Sequence, residues 1–211
     1  MKHFKILTIS KHDPLYPKEF LNITDAPETF YAMGNTDLLD AEKKIAIIGA
    51  RKADNEGNAA AYKLGKKYTE DEYIIVSGLA LGCDTAAHKG CLDAGGYTIA
   101  ILGNGLDLVH PKENEALFNR ILENDGLIIS EQPLRVKATP KNLVARNRLQ
   151  AALSDIVIVA QCPAKSGTLY TVDFAKRYGK KVMAVKYNHL NDTNEGNWNL
   201  LSSGKAQPVE L

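Results

Sequence analysis

The chain has 211 residues, 45% of them hydrophobic and 24% charged, with a net charge of +1. These are globular values that suit one α/β domain with a small appendage, and they exclude a disordered chain. With the charge so nearly balanced, an anionic partner has to be recognised by local clustering of cations, not by an overall field.

The opening MKHFKILTIS lacks the long apolar core of a signal peptide. No apolar run in the chain approaches the ~18 residues of a membrane span. Residues 1–42 carry DPLYPKEFLNITDAPETFYAMGN, with three prolines and no long periodic stretch. They read as a small N-terminal cap subdomain, and residues 43–211 as the main domain. From there short apolar runs recur: KIAIIG (44–49), YIIVSG (73–78), YTIAILG (97–103), GLIISE (126–131), DIVIVA (155–160) and KVMAVKY (181–187). Each is about strand length, rich in Ile and Val, and lacks apolar–polar alternation, so both faces are expected to be covered. Helical stretches lie between them at about 57–70, 84–94, 113–124, 142–153 and 168–178. Such alternation predicts an α/β fold with a doubly wound, mostly parallel, Rossmann-like sheet. The tail offers one further turn of helix at NWNLLSSG.

The two kinds of junction differ. The segments after the strands are GARKADNEG, SGLALGCD, LGNGLDLVHPKEN, SEQPLRVKATPKN and AQCPAKSGT, rich in Gly, Asn, Ser and cations. The segments before the strands are short and plain. Parallel strands all end on one edge, so the unusual loops converge on the rim where open α/β sheets bind ligands.

On that rim, AKSGTLYTVDFAKR offers Lys165 and then Ser166-Gly167-Thr168 at a helix start. Unpaired N–H groups there accept an anion, and the same residues would also serve as a plain N-cap. Arg51 and Lys52 follow the first strand of the main domain, either as a rim cation pair or on a solvated loop. PKNLVARNRLQ places Lys141, Arg146, Asn147 and Arg148 near a helix N-terminus, where cations oppose the macrodipole and either call for a nearby anion or form a solvated charged face. In SGLALGCDTAAHKG, Asp84 fits a helix N-cap or first-turn acid, with His88 one turn on as a supporting or merely structural partner. Neither G-x-G-x-x-G nor the P-loop pattern is present, and no nucleophile elbow G-x-S-x-G marks a hydrolytic triad. The five histidines show no metal-ligand spacing, so neither metal nor cofactor is expected. Cys83, Cys91 and Cys162 form no C-x-x-C, which suggests buried thiols in a reducing cytoplasm.

Taken in order, YPKEFLNITDAPETFYAMGN, AIIGAR, IVSGLALGCDTAAH, GGYTIAILGNGLD, HPKEN, GLIISEQP, RNRLQAALSD and SGTLYTVDFAKRYGKKVMAV resemble the DprA/Smf (DNA-processing protein A) family of the SLOG-type Rossmann-like superfamily. The likeness runs from about Tyr16 to about Gly204. It implies a single-stranded DNA binder without catalytic activity, acting in recombination during natural transformation, with RecA as a partner and a homodimer as the assembly. Carried over by motif, the implied DNA or phosphate contacts are Arg51, Ser77, Gly78, Arg146, Asn147, Arg148, Ser166, Gly167 and Thr168. The sequence departs from the family pattern at Leu81, where a cation is usual, at Cys83, at His110, and at NLVA before the RNR element. The winged-helix and N-terminal helical appendages common in the family are not among these residues. Two other readings use the same pocket. One is a nucleotide-binding sensor. The other is an enzyme similar to the nucleoside monophosphate phosphoribohydrolases, whose acid position is held here by Thr171.

Overall fold

The structure is a computed structural model and describes residues 4–211. Nine strands form one sheet: β1 (Ile6–Ser10), β2 (Thr29–Gly34), β3 (Lys44–Ile48), β4 (Ile74–Ser77), β5 (Thr98–Leu102), β6 (Leu127–Ser130), β7 (Ile156–Val159), β8 (Lys181–Val185) and β9 (Gln207–Val209). Their spatial order is β1-β2-β6-β5-β4-β3-β7-β8-β9. The run from β6 to β9 is parallel throughout. β1 and β2 add to its edge antiparallel, β2 pairing with β6 through Tyr31↔Ser130 to Gly34↔Leu127.

Among the described residues the seven α-helices are α1 (Lys18–Leu21), α2 (Asn55–Glu70), α3 (Cys83–Asp93), α4 (Glu115–Glu123), α5 (Pro140–Leu153), α6 (Thr168–Arg177) and α7 (Glu195–Ser202). β3 shows why the sheet is covered on both sides. Ile45 and Ile47 pack with α2 and α3, while Ala46 and Ile48 pack with α5, α6 and Leu200 of α7. α4 joins the α2–α3 side through Leu117, Phe118 and Ile121. The doubly wound, mostly parallel fold expected from the strand–helix alternation is the one observed.

The sequence pattern misses β1, β2 and β9. Only Ile9 of β1 is buried, so this edge strand shows no period of its own. β2 alternates, with Phe30 and Ala32 inward, over too few residues to stand out beside the neighbouring prolines. β9 contains Pro208, which lacks a donor and is tolerated because this strand is the sheet edge. The C-terminal turn is a helix of eight residues, longer than expected.

The strand order reverses between β3 and β7. Ile45 pairs with Ile156, and the chain winds outward from this junction in both directions. Loops on either side of such a reversal diverge and leave a crevice at the C-terminal ends of the strands.

Candidate functional site

A cleft of about 510 Å³ occupies that crevice. One wall is the β3–α2 loop with Gly49, Ala50, Arg51 and Lys52, and the opposite wall is the β7–α6 loop with Pro163 and Lys165–Thr168. Leu143, Val144, Asn147 and Gln150 of α5 form a side, and Asp192 and Thr193 of the β8–α7 loop close the rim. Arg146 and Asp84 reach it from beneath. Arg51, Lys52 and Lys165 are exposed, and among the described residues none lies within 4.0 Å of a carboxylate. Three cations without counter-ions therefore border one concavity.

Arg146 is only 3% exposed. Its Nη1 donates to the carbonyls of Gly78, at 2.6 Å, and of Ile101, and its Nε donates to Asn147 Oδ1 at 3.1 Å. Burial lowers its pKa to about 10, with Asp84 acting against that shift and the Arg51 charge adding to it. The guanidinium thus stays charged at neutral pH and shares the repulsion of Arg51 across the cleft, which an incoming anion would relieve. The Asp84 carboxylate accepts the N–H groups of Gly78 at 3.1 Å and Ala80 at 3.4 Å. Desolvation pushes that carboxyl above the usual carboxylate range, and Arg146 pulls it back down.

Several residues expected at the interface are placed elsewhere. Ser77 is buried and donates to Ile47 O at 2.7 Å. Gly78 is buried too, and a Cβ there would collide with the Arg146 guanidinium and with Gln150. Gly78 seats the arginine, Ser77 ties β4 to β3, and neither lines the cleft. The glycine at 82 answers a different need. It has φ +76°, and a Cβ would run into the Ala50 and Arg51 carbonyls, so the β4–α3 and β3–α2 loops can touch there.

His88 is fully buried, with Nδ1 2.7 Å from Thr98 Oγ1. Thr98 spends its proton on Ile75 O at 2.6 Å, so His88 Nδ1 carries the hydrogen. Burial, with help from Arg146, pushes the imidazole pKa down to about 3. It is a neutral core residue away from the cleft.

Arg146 and Arg148 lie mid-helix, because α5 begins at Pro140, capped by Thr139. Two positions on a helix are about 200° apart, so the arginines point to opposite sides. Arg148 forks onto Glu131 at 2.6 and 2.9 Å and reaches Asp25 O at 2.9 Å, its side chain 12% exposed. Arg148 finds its anion in the protein's own Glu131 and does not line the cleft, whereas Arg146 donates to main-chain carbonyls.

The Ser166–Thr168 turn does line it, though its donors are not all open. Thr168 N–H donates to Ser166 Oγ at 3.2 Å, Leu169 N–H to Ser166 O at 3.1 Å and Tyr170 N–H to Gly167 O at 3.3 Å. The turn is partly closed on itself as an N-cap. Gly167 is nevertheless exposed in ordinary helical backbone, φ −59°, and a Cβ there would meet nothing within 4 Å. Fold packing gives no reason for glycine here, so the open space is available to a ligand. Asn147 donates to Gly167 O at 3.4 Å, tying α5 to this turn. Thr171 lines the cleft and is buried. Lys52 carries no sequence signal beyond its place beside Arg51. Gln150, Asp192 and Thr193 had no signal there, because α5 shows no clean amphipathic pattern and the loop HLNDTNEG reads as an ordinary polar connection. Among the described residues, no group of three or more His, Cys, Asp or Glu side chains is arranged to hold a metal.

A doubly wound sheet with a cation-bordered cleft at its strand-order reversal defines a Rossmann-like protein with a candidate ligand site. A model of the family "DNA recombination-mediator protein A" matches residues 7–211. The chain belongs to this family. It is 38% identical to the DNA processing protein DprA of Streptococcus pneumoniae over 95% of this chain and 70% of that protein. It is 36% identical to Protein Smf of Synechocystis over 93% of this chain and 50% of the relative, so it spans about half the length of the latter. Among solved structures, DNA processing protein A from Helicobacter pylori, described for its single-stranded DNA binding mode, matches with a TM-score of 0.89 at 33% identity, covering 99% of this chain and 93% of that one. The X-ray structure of S. pneumoniae DprA gives 0.90 at 37% identity, covering 97% and 71%. The molybdenum cofactor binding protein of Rippkaea orientalis, at TM-score 0.56 and 20% identity, shares the fold.

Proposed function

We propose that the cleft binds the backbone of single-stranded DNA and that the protein acts as a DNA-binding recombination mediator, not as an enzyme. The observation that carries this reading is the meeting of Arg51, Lys52 and Lys165, all exposed and unpaired among the described residues, with buried Arg146 at one crevice. Phosphates of a strand passing through would neutralise the three exposed cations, and Leu143 and Val144 offer an apolar side for a base. The binding mode described for the H. pylori protein supports the choice of ligand. Hand-over of the strand to RecA, a homodimer, a role in natural transformation and a cytoplasmic site of action belong to the same proposal, on family resemblance. The three free, buried cysteines suit a reducing compartment.

Fluorescence anisotropy with a dT oligomer over a series of salt concentrations tests the reading. Binding at low salt that weakens as salt rises is the expected result, and no binding at low salt would refute it. Thr171 at the position where an acid would assist glycosidic cleavage supports the non-enzymatic half. Incubation with AMP should release no adenine above the protein-free control, and release in proportion to protein would reverse that conclusion.

A further inference from the structure

Three loops far apart in sequence frame the cleft, and one side chain outside it ties all three together. Asp54 ends the β3–α2 loop as the N-cap of α2, its Oδ1 accepting the Gly57 N–H at 2.8 Å. The same oxygen accepts Gln161 Nε2 at 2.9 Å, and Gln161 Oε1 accepts the Asp54 N–H at 3.1 Å. This reciprocal pair joins the β3–α2 loop to the β7–α6 loop. The other oxygen, Oδ2, lies 2.6 Å from Thr193 Oγ1 of the β8–α7 loop. Asn191 Oδ1 is also 2.6 Å from that hydroxyl, which has one proton. The ionised carboxylate is the stronger acceptor and takes it.

The surrounding sequence is shaped to this arrangement. A Cβ at Gly57 would overlap the Gln161 side chain, and Gln161 is fully buried. Burial works to raise the Asp54 carboxyl, and the hydrogen bonds from Thr193, Gly57 and Gln161 overcome it and hold the group below the usual carboxylate range. An N-cap needs only one oxygen, and serine would serve as well. Asp54 uses both oxygens and its own N–H, on partners 107 and 139 positions away. Its position is not among those lining the cleft, while Arg51, Lys165 and Thr193, one on each loop, are.

We propose that Asp54 is a positioning residue of the cleft: it locks the three rim loops in the arrangement that aims Arg51 and Lys165 at one ligand. This rests on the reading of the cleft as a DNA site. Without the tie the loops keep their cations but lose their common register, so ligand binding has to order them again.

Asp54→Ser separates the two roles, since serine keeps the α2 cap and the main-chain bond to Gln161 Oε1 but lacks the second oxygen that holds Thr193. With a dT oligomer, Asp54→Ser should weaken binding by about tenfold, the equivalent of one or two hydrogen bonds, with far-UV circular dichroism and melting temperature close to wild type. Arg51→Ala should then cost less in the Asp54→Ser background than in wild type, a coupling that a purely structural role would not produce. Amide exchange should quicken together in the loops at 160–167 and 186–194. Gln161→Met, which leaves the α2 cap intact, should also weaken binding and provides the readout if Asp54→Ser melts early. Wild-type affinity in both variants, or strictly independent Asp54 and Arg51 effects, overturns this inference and leaves the DNA reading standing. A wild-type protein that does not bind the oligomer takes both down.

Discussion

Arg146 and Arg148 share one short motif and do different work. Arg146 is buried beneath the cleft with Asp84, and Arg148 clamps α5 to Glu131 and to the segment around Asp25. Replacement of Arg148 by alanine should leave DNA affinity and its salt dependence at wild-type values. It should cost roughly 3 kcal/mol of stability, because the largely buried Glu131 carboxylate loses its partner, and this is measured by urea denaturation beside anisotropy. Arg51→Ala and Lys165→Ala should behave in the opposite way. Each removes one phosphate contact, so each should flatten the slope of log K against log salt by about 0.7 while the urea midpoint stays put. A steeper loss in Arg148→Ala than in Arg51→Ala would contradict this division of labour. That Arg51 and Lys165 sit on rim loops was legible from the sequence. That Arg148 points away was not, since a motif names residue types and says nothing about which side of a helix meets the ligand.

At the scale of elements, α3 is pinned to β5 by His88 on Thr98, and Thr98 is pinned to β4 through Ile75 O. His88 has a folded pKa of about 3, depressed by burial, against 6.5 when unfolded. The unfolded chain therefore takes up a proton below pH 6.5 that the folded state refuses. The stability contribution is complete above that pH and is lost as pH falls toward the folded value. Between pH 7 and pH 5 this amounts to about 2 kcal/mol from one histidine. Urea midpoints at the two pH values should show it, and His88→Gln should have a flatter dependence. An unchanged slope in that variant would place the titration elsewhere.

The α6 start gives a second element-scale test. Gly167 has helical dihedrals and open space around its missing Cβ. Gly167→Val should leave far-UV circular dichroism helical while blocking close approach of a ligand, so affinity should fall by at least tenfold with α6 intact. Gly78→Ala differs in kind. Its methyl would displace Arg146, so stability and binding should fall together, by about 1–3 kcal/mol for an overpacked core site. Both glycines stood in plausible binding motifs. One borders the cleft and the other makes room for a buried arginine, and only the packing distinguishes them.

For the whole molecule, a net charge of +1 supplies no general attraction for DNA. Binding has to come from the local field of three exposed cations at the cleft, and the overall salt slope should be near −2, at about −0.7 per neutralised phosphate. A much steeper slope would mean a larger basic surface than the cleft provides, such as a second copy of the chain contributing its own loops. The sequence by itself determined the alternation of apolar runs with helices, hence a parallel sheet covered on both faces and a rim where the glycine-, serine- and cation-bearing loops collect. Those are consequences of short-range periodicity and of the geometry of parallel strands, and both can be read along the chain. Only the tertiary structure decided that β3 lies beside β7, with Ile45 against Ile156, so that the crevice opens between Arg51 and Lys165. It also decided that β1 and β2 extend the same sheet, that Ser77, Gly78 and His88 are interior, and that Asp54 meets Gln161 and Thr193. Strand order and charge burial depend on contacts between residues far apart in the chain, and no local pattern encodes which distant partner a strand edge or a carboxylate will find.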